Sequence, residues 1–197
     1  MMMTACILFS FKPSDYNLLL KTGVYQLEEG QLEKGLAGPA VDGYRYRIMQ
    51  FYTLPTQSQK SELKNKGILF FDYMPKNAYL VAIPTQLEAN DLQDYSIRSI
   101  ASLDPGMKLT SAVALGEYPE WAIESAGKYT LIAAFYSNIS KEKISKELNK
   151  LDVAYSFRPD AGFVRLTGTL SQIEAFCQSC SRAACPITQA TCESCPT

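Results

Sequence analysis

The stretch FDYMPKNAYLVAI, residues 71–83, reads as two apolar runs folded over a Pro-Lys-Asn corner. It recurs as YSFRPDAGFVRLT at residues 155–167, with Phe157, Pro159 and Phe163 in the places of Tyr73, Pro75 and Tyr79. Self-similarity at this scale means that one structural unit is built twice.

Working outward from the corner, the repeat lengthens. YRYRIMQFY (44–52) aligns with KYTLIAAFY (128–136), so that Phe51-Tyr52 falls on Phe135-Tyr136. Each copy opens with a β-rich run, at 46–52 or 129–136, and continues with a polar, Lys-rich helical stretch at 57–66 or 141–150. Two strand-like runs follow, at 68–74 and 78–83 or at 153–157 and 161–167. A second helix is expected at 86–94 or 170–180, and a short final strand near 97–102 or 183–189. Thr56 with Gln59, Thr85 with Glu88, and Thr169 with Gln172 fit the capping box, in which hydroxyl and carboxamide or carboxylate exchange bonds with free backbone N–H groups. Ser140 starts the remaining helix, with Lys143 leaving its box incomplete. Leu170, Ile173, Cys177 and Cys180 form the apolar stripe of the last helix.

The order β-α-β-β-α-β, twice, defines the fold class: α+β, two tandem ferredoxin-like units, each a four-stranded antiparallel sheet with two helices on one face. The divisions are a leader and linker at 1–43, unit 1 at 44–103, a linker at 104–127, unit 2 at 128–190 and a Cys-containing tail at 191–197. The start, MMMTACILFSFK, reads as a processing segment or as a first strand. In ILFFDYM (68–74), Ile68, Phe70 and Met74 point one way and Leu69, Phe71 and Tyr73 the other. Both faces are therefore apolar, with Asp72 the single charge. A sheet with helices on one side and water on the other alternates apolar with polar. The second face is therefore expected to be covered, by the other copy or by a partner.

Composition narrows the chemistry. With 19 basic and 20 acidic residues, the formal net charge is -1. Nucleic-acid binders carry a basic surround, so the sheet aromatics are not read as a base-stacking platform. No apolar run reaches the ~18 residues of a membrane span. Histidine is absent from the 197 residues. This removes Ser-His-Asp and Cys-His units and any imidazole metal ligand. No paired acids stand at a recognisable spacing, and the chain is read as non-enzymatic, with no cofactor and no small-molecule substrate. Six cysteines suggest an oxidising compartment, hence a secreted, cell-surface or periplasmic location. Cys177, Cys180, Cys185, Cys192 and Cys195 crowd the C-terminal region; disulfides, buried or free thiols, and a four-thiolate zinc site all remain open.

YRIMQFYTLPTQSQKSELKNKGILFFDYMPKNAYLVAIP resembles the N-terminal propeptide region of the subtilases, the subtilisin-like serine peptidases, of the secreted bacterial type. The motif is Tyr73, Pro75, Asn77, Ala78, Tyr79, Leu80 and Val81 after Leu63 and Gly67. GEYPEWAIESAGKYTLIAAFY resembles the second half of such leaders, through Pro119, Trp121 and Ala122. The likeness spans about residues 44–176, and the peptidase signatures themselves are missing. The resemblance implies a leader that assists folding of a peptidase domain and inhibits it, in cis or in trans. Partner contacts are expected at Phe71, Tyr73, Tyr79, Phe157 and Phe163, with Pro75, Asn77, Pro159 and Trp121 as structural residues. The Cys-rich tail departs from the family pattern. The alternative is a stand-alone extracellular interaction or adhesion module of the same fold.

Overall fold

Two antiparallel sheets of four strands carry the chain, and each contains a strand, a helix and a hairpin in succession. The structure is a computed structural model that describes residues 16–20, 22–108, 110, 113, 115–157 and 162–182, with backbone alone at 105 and 177–182. The fold is mixed α+β.

In the first sheet, β3 (Tyr44–Phe51), β4 (Leu69–Met74), β5 (Ala78–Pro84) and β6 (Ile97–Ser102) stand in the order β4-β5-β3-β6. The helix α2 (Gln57–Asn65) joins β3 to β4. Its capping box forms as expected: the Gln59 amide donates to Thr56 Oγ1 at 3.3 Å, and the Thr56 amide donates to Gln59 Oε1 at 2.9 Å. The second connection differs from expectation. Residues Ala89–Tyr95 wind as a 3₁₀ helix, and its box is Glu88 with Asp91, not Thr85 with Glu88. Leu92 and Tyr95 are its buried residues, three apart. That spacing places both on one side of a three-residue turn.

The Pro75 corner is built by backbone sign. Lys76 and Asn77 both take positive φ, at 65° and 57°. Asn tolerates that region better than most side chains do. Asn77 also ties the corner to the end of β3: its carbonyl accepts from the Phe51 amide at 2.9 Å, and its side-chain amide donates to the Tyr52 carbonyl at 3.2 Å.

Directly opposed residues of an antiparallel pair share a face. Met49, Phe51, Val81 and Ile83 accordingly form one core with Leu63 of α2 and with Leu92 and Tyr95. Tyr46, Ile48, Leu80 and Ala82 face the other way. Strict alternation in β4 fails, because the register against β5 shifts between Phe70 and Tyr73. A bulge of this kind inserts an extra residue and re-aims the side chains beyond it. Phe70, Tyr73 and Tyr79 therefore lie on the helix side, while Leu69, Phe71 and Met74 lie on the other.

That other face, expected to be covered by the other copy or by a partner, is largely covered from within the chain. One half belongs to a single core with the second unit: Tyr46, Leu80 and Ala82 with Tyr136, Ile139 and Ile144. Ile48 and Ala78 lie under a hairpin of β1 (Leu18–Leu20) and β2 (Gly23–Tyr25), together with Leu27. The segment read as a leader thus carries this hairpin and the short helix α1 (Leu32–Leu36), which packs against β6. At that contact a Cβ added to Gly35 would stand 2.1 Å from the Ile100 carbonyl oxygen.

The second sheet has the order β7-β8-β10-β9, from β7 (Ile123–Ser125), β8 (Lys128–Ala134), β9 (Ala154–Phe157) and β10 (Phe163–Gly168). The helices α3 (Lys141–Lys150) and α4 (Leu170–Arg182) pack on one side, where Leu131, Ala133, Val164 and Leu166 meet Ile144, Leu148, Ile173 and Phe176. Ser140 caps α3 without a box, and Thr169 with Gln172 completes a reciprocal box at α4. The place beside β8 that β6 holds beside β3 is taken at its start by β7, from the stretch read as a linker. The strand expected near 183–189 lies outside the described residues.

Candidate docking face

The outer face of the second sheet alternates with the core side residue by residue. Thr130, Ile132 and Ala134 of β8 oppose Thr167, Arg165 and Phe163 of β10 across the ladder, and Ser156 of β9 opposes Arg165. The register puts all of them opposite the side chains that meet α3 and α4. Thr130 bridges two neighbours, donating to Glu124 Oε1 at 2.8 Å and lying 2.8 Å from the Thr167 hydroxyl. Phe163 is 41% exposed at the end of this face. The arrangement is a polar sheet surface with an aromatic at one margin. Thr130 itself is buried, so the Ser156 and Thr167 hydroxyls, the Glu124 carboxylate and the Arg165 guanidinium are the groups of this face that can meet a partner surface, and they include no activated nucleophile.

The five aromatics expected to form a partner surface do not form one surface, although Tyr73 and Tyr79 touch. Phe71 sits in the seam between the units, stacked on Tyr136 at 4.4 Å between ring centroids. Tyr73 is exposed but meets Tyr79 edge-on at 5.3 Å, on the helix side. Tyr79 also packs edge-on against Phe70, and the Lys60 ammonium lies 4.3 Å from the Tyr79 ring centroid. Such a contact contributes about 0.5–1 kcal/mol at an exposed site. Phe157 opposes Val164, on the helix side of the second sheet, against Phe135 and Tyr155. Of the five, Phe163 alone lies exposed on an outer face. Among the structural residues, Pro75 and Asn77 form the β4–β5 corner, and Trp121 is exposed on a 3₁₀ turn. Pro159 lies outside the described residues, as do Cys185, Cys192 and Cys195 and the side chains of Cys177 and Cys180. No group of three or more Cys, Asp or Glu is placed to hold a metal among the described residues.

A polar network absent from the sequence reading lies between β3, β6 and the N-terminal segment. Arg98, 7% exposed, donates to the Leu27 carbonyl at 3.0 Å and to Gln50 Oε1 at 2.8 Å. Gln50, fully buried, donates in turn to the Tyr16 and Lys76 carbonyls. Glu29 accepts from the Tyr52 hydroxyl at 2.5 Å, and this bond is the first cause of the rise in the Tyr52 pKa. Arg47 is buried as well, giving its guanidinium to the Gly35 and Ala37 carbonyls at 2.6 Å each; burial lowers its pKa. The signal in the sequence was the presence of Arg47, Gln50 and Arg98 inside strands that otherwise read as apolar. Buried polar side chains are retained where their hydrogen bonds are met. Here most partners are main-chain carbonyls, which carry no sequence signature.

Two clefts border this unit. One, of about 370 Å³, is lined by Glu33, Arg45, Thr85 and Glu88. The other, of about 430 Å³, runs along β6 between Glu28, Lys34 and Asp104. No described helix is long and apolar enough to cross a membrane.

Residues 12–104 match a family model described as Domain of unknown function (DUF8729). The matched span takes in the hairpin, α1 and the whole first sheet, and ends before β7. No curated protein and no solved structure matches the chain.

Proposed function

We propose that this chain is a non-catalytic protein-binding module of two ferredoxin-like units, the propeptide region of a secreted subtilisin-like serine peptidase. It assists folding of the peptidase domain and inhibits it. The shared ordering of three strands supports the doubled unit: β4-β5-β3 in one sheet and β9-β10-β8 in the other, each joined through one helix and one hairpin. The observation that carries the binding reading is the outer face of the second sheet, where Phe163 stands exposed opposite Ala134 and next in line to the Arg165–Ile132 pair. With most of the first sheet's outer face covered internally, this face is where the partner docks. The mechanism is mass action, because a leader that binds the native peptidase and not its unfolded chain stabilises the native state. A protease–inhibitor interface typically buries about 1,600 Å² in total.

The test is titration of the purified chain into mature subtilisin-like peptidase domains from the same source, followed by hydrolysis of a chromogenic peptide. Stoichiometric inhibition that Phe163→Asp weakens at unchanged thermal stability is the expected result. Hydrolysis that stays unchanged at saturating chain opposes the reading. Internal shielding of the first sheet favours a second reading, a stand-alone extracellular interaction module, because that sheet needs little from a peptidase to complete its cover. The same titration separates the two.

A further inference from the structure

We propose that the β1–β2 hairpin is a releasable cover over the first sheet, latched by Arg98. Among the described strands, β1 and β2 pair only with each other and add no ladder to the sheet beneath them. Three-residue strands in a lone hairpin are marginal by themselves. Besides the Gln50 bond to the Tyr16 carbonyl and the Tyr52 bond to Glu29, two sets of contacts hold the hairpin down. Leu18 and Leu27, 0% and 5% exposed, plug the apolar strip of Ile48 and Ala78. Arg98 then holds both flanks of the hairpin, the Tyr16 ring before it and the backbone after it. Its guanidinium lies 4.7 Å from the Tyr16 ring and donates to the Leu27 carbonyl, while its own carbonyl accepts from the Gly30 amide at 2.9 Å.

The strip under the hairpin shares no residue with the core on the helix side of the same sheet. Lifting the hairpin therefore leaves Met49, Phe51, Leu63, Val81 and Ile83 packed, and the opening is local rather than global. Regions held by few buried contacts open in this sub-global way. Met74 and Leu103 border both the strip and the core between the units, so the uncovered surface continues up to the seam. The cover switches the outer face of the first sheet between shielded and open with the fold intact. This inference stands on the first sheet alone and does not depend on the identity of a docking partner.

Hydrogen–deuterium exchange of the full chain tests it with no partner present. The expected result is that Arg98→Met speeds exchange of the 16–30 amides about ten-fold or more, the effect of losing hydrogen bonds to a charged group, while β5 amides change less than about two-fold. Acceleration of the hairpin and β5 by the same factor, or no acceleration of the hairpin, overturns the proposal. Should Arg98→Met fail to fold, Tyr16→Ala removes the ring over the guanidinium and keeps the backbone carbonyls, and the same two outcomes are read.

Discussion

The Asn138 side-chain amide donates to the Tyr46 phenol at 2.6 Å, joining residues 92 positions apart. Tyr46 belongs to β3 and Asn138 to the turn before α3, so the bond crosses the seam between the units. The Tyr46 ring stacks on Tyr136 at 4.9 Å, and Lys143 pairs with Asp42 beside them. Tyr46→Phe keeps the stack and removes the bond, leaving the half-buried Asn138 amide without its acceptor. That change is expected to lower stability by about 1–3 kcal/mol in urea unfolding at pH 7.

The same phenol makes stability fall in alkali. Burial pushes the Tyr46 pKa up to about 12, with the Asn138 bond opposing the rise. In the unfolded chain a tyrosine titrates near 10. The folded state thus holds this proton more tightly, and its stabilising contribution is complete below about pH 10 and is lost as pH rises through about 12. Urea midpoints taken from pH 9 upward are expected to fall more steeply for the native chain than for Tyr46→Phe. Parallel curves would show that Tyr46 contributes nothing to the alkaline loss.

Gly35→Ala is expected to be among the most destabilising single-methyl changes in the molecule. The added Cβ meets backbone, the Ile100 carbonyl oxygen, so no side chain can swing away to make room. Moving α1 off β6 also pulls the Gly35 and Ala37 carbonyls from Arg47. Overpacking typically costs about 1–3 kcal/mol, and breaking these bonds adds to it. Thermal unfolding measures the loss, and a midpoint within about 2 °C of the native one would contradict the contact.

Much of this fold was legible because local chemistry specified it. Thr56 with Gln59, Ser140, and Thr169 with Gln172 start their helices where the sequence says they do. The Pro75 corner turns where Lys76 and Asn77 can hold positive φ. The misreadings came from non-local terms. One bulge between Phe70 and Tyr73 moved Tyr73 to the helix side, and no periodicity count registers an extra residue. Leu18 and Leu27 cover Ile48 and Ala78, a contact set by tertiary packing across many residues of chain. Arg98 and Gln50 bind main-chain carbonyls of Tyr16, Leu27 and Lys76, so their partners leave no motif. The outer face of the second sheet was readable in principle from the alternation of Phe163, Val164, Arg165, Leu166 and Thr167, which the apolar character of β4 overshadowed.

Phe71 and Phe163 should respond by very different amounts to the same substitution, although the sequence assigns them one role. Phe71 is half-buried in the seam, stacked on Tyr136 at 4.4 Å and nearly parallel to Tyr46. Truncating it opens space between two packed units, and Phe71→Ala is expected to cost about 2–4 kcal/mol, near the low end for aromatic truncations because the ring is only partly enclosed. Phe163 stands 41% exposed at the margin of the outer face. Phe163→Ala removes little buried surface and should change stability by no more than about 1 kcal/mol, as surface substitutions usually do. Thermal unfolding of the two variants beside the native chain decides the matter. Equal losses would place both rings in packing roles and remove Phe163 from the docking face; a large loss for Phe71 alone leaves Phe163 as an aromatic held at the surface with little structural work to do there.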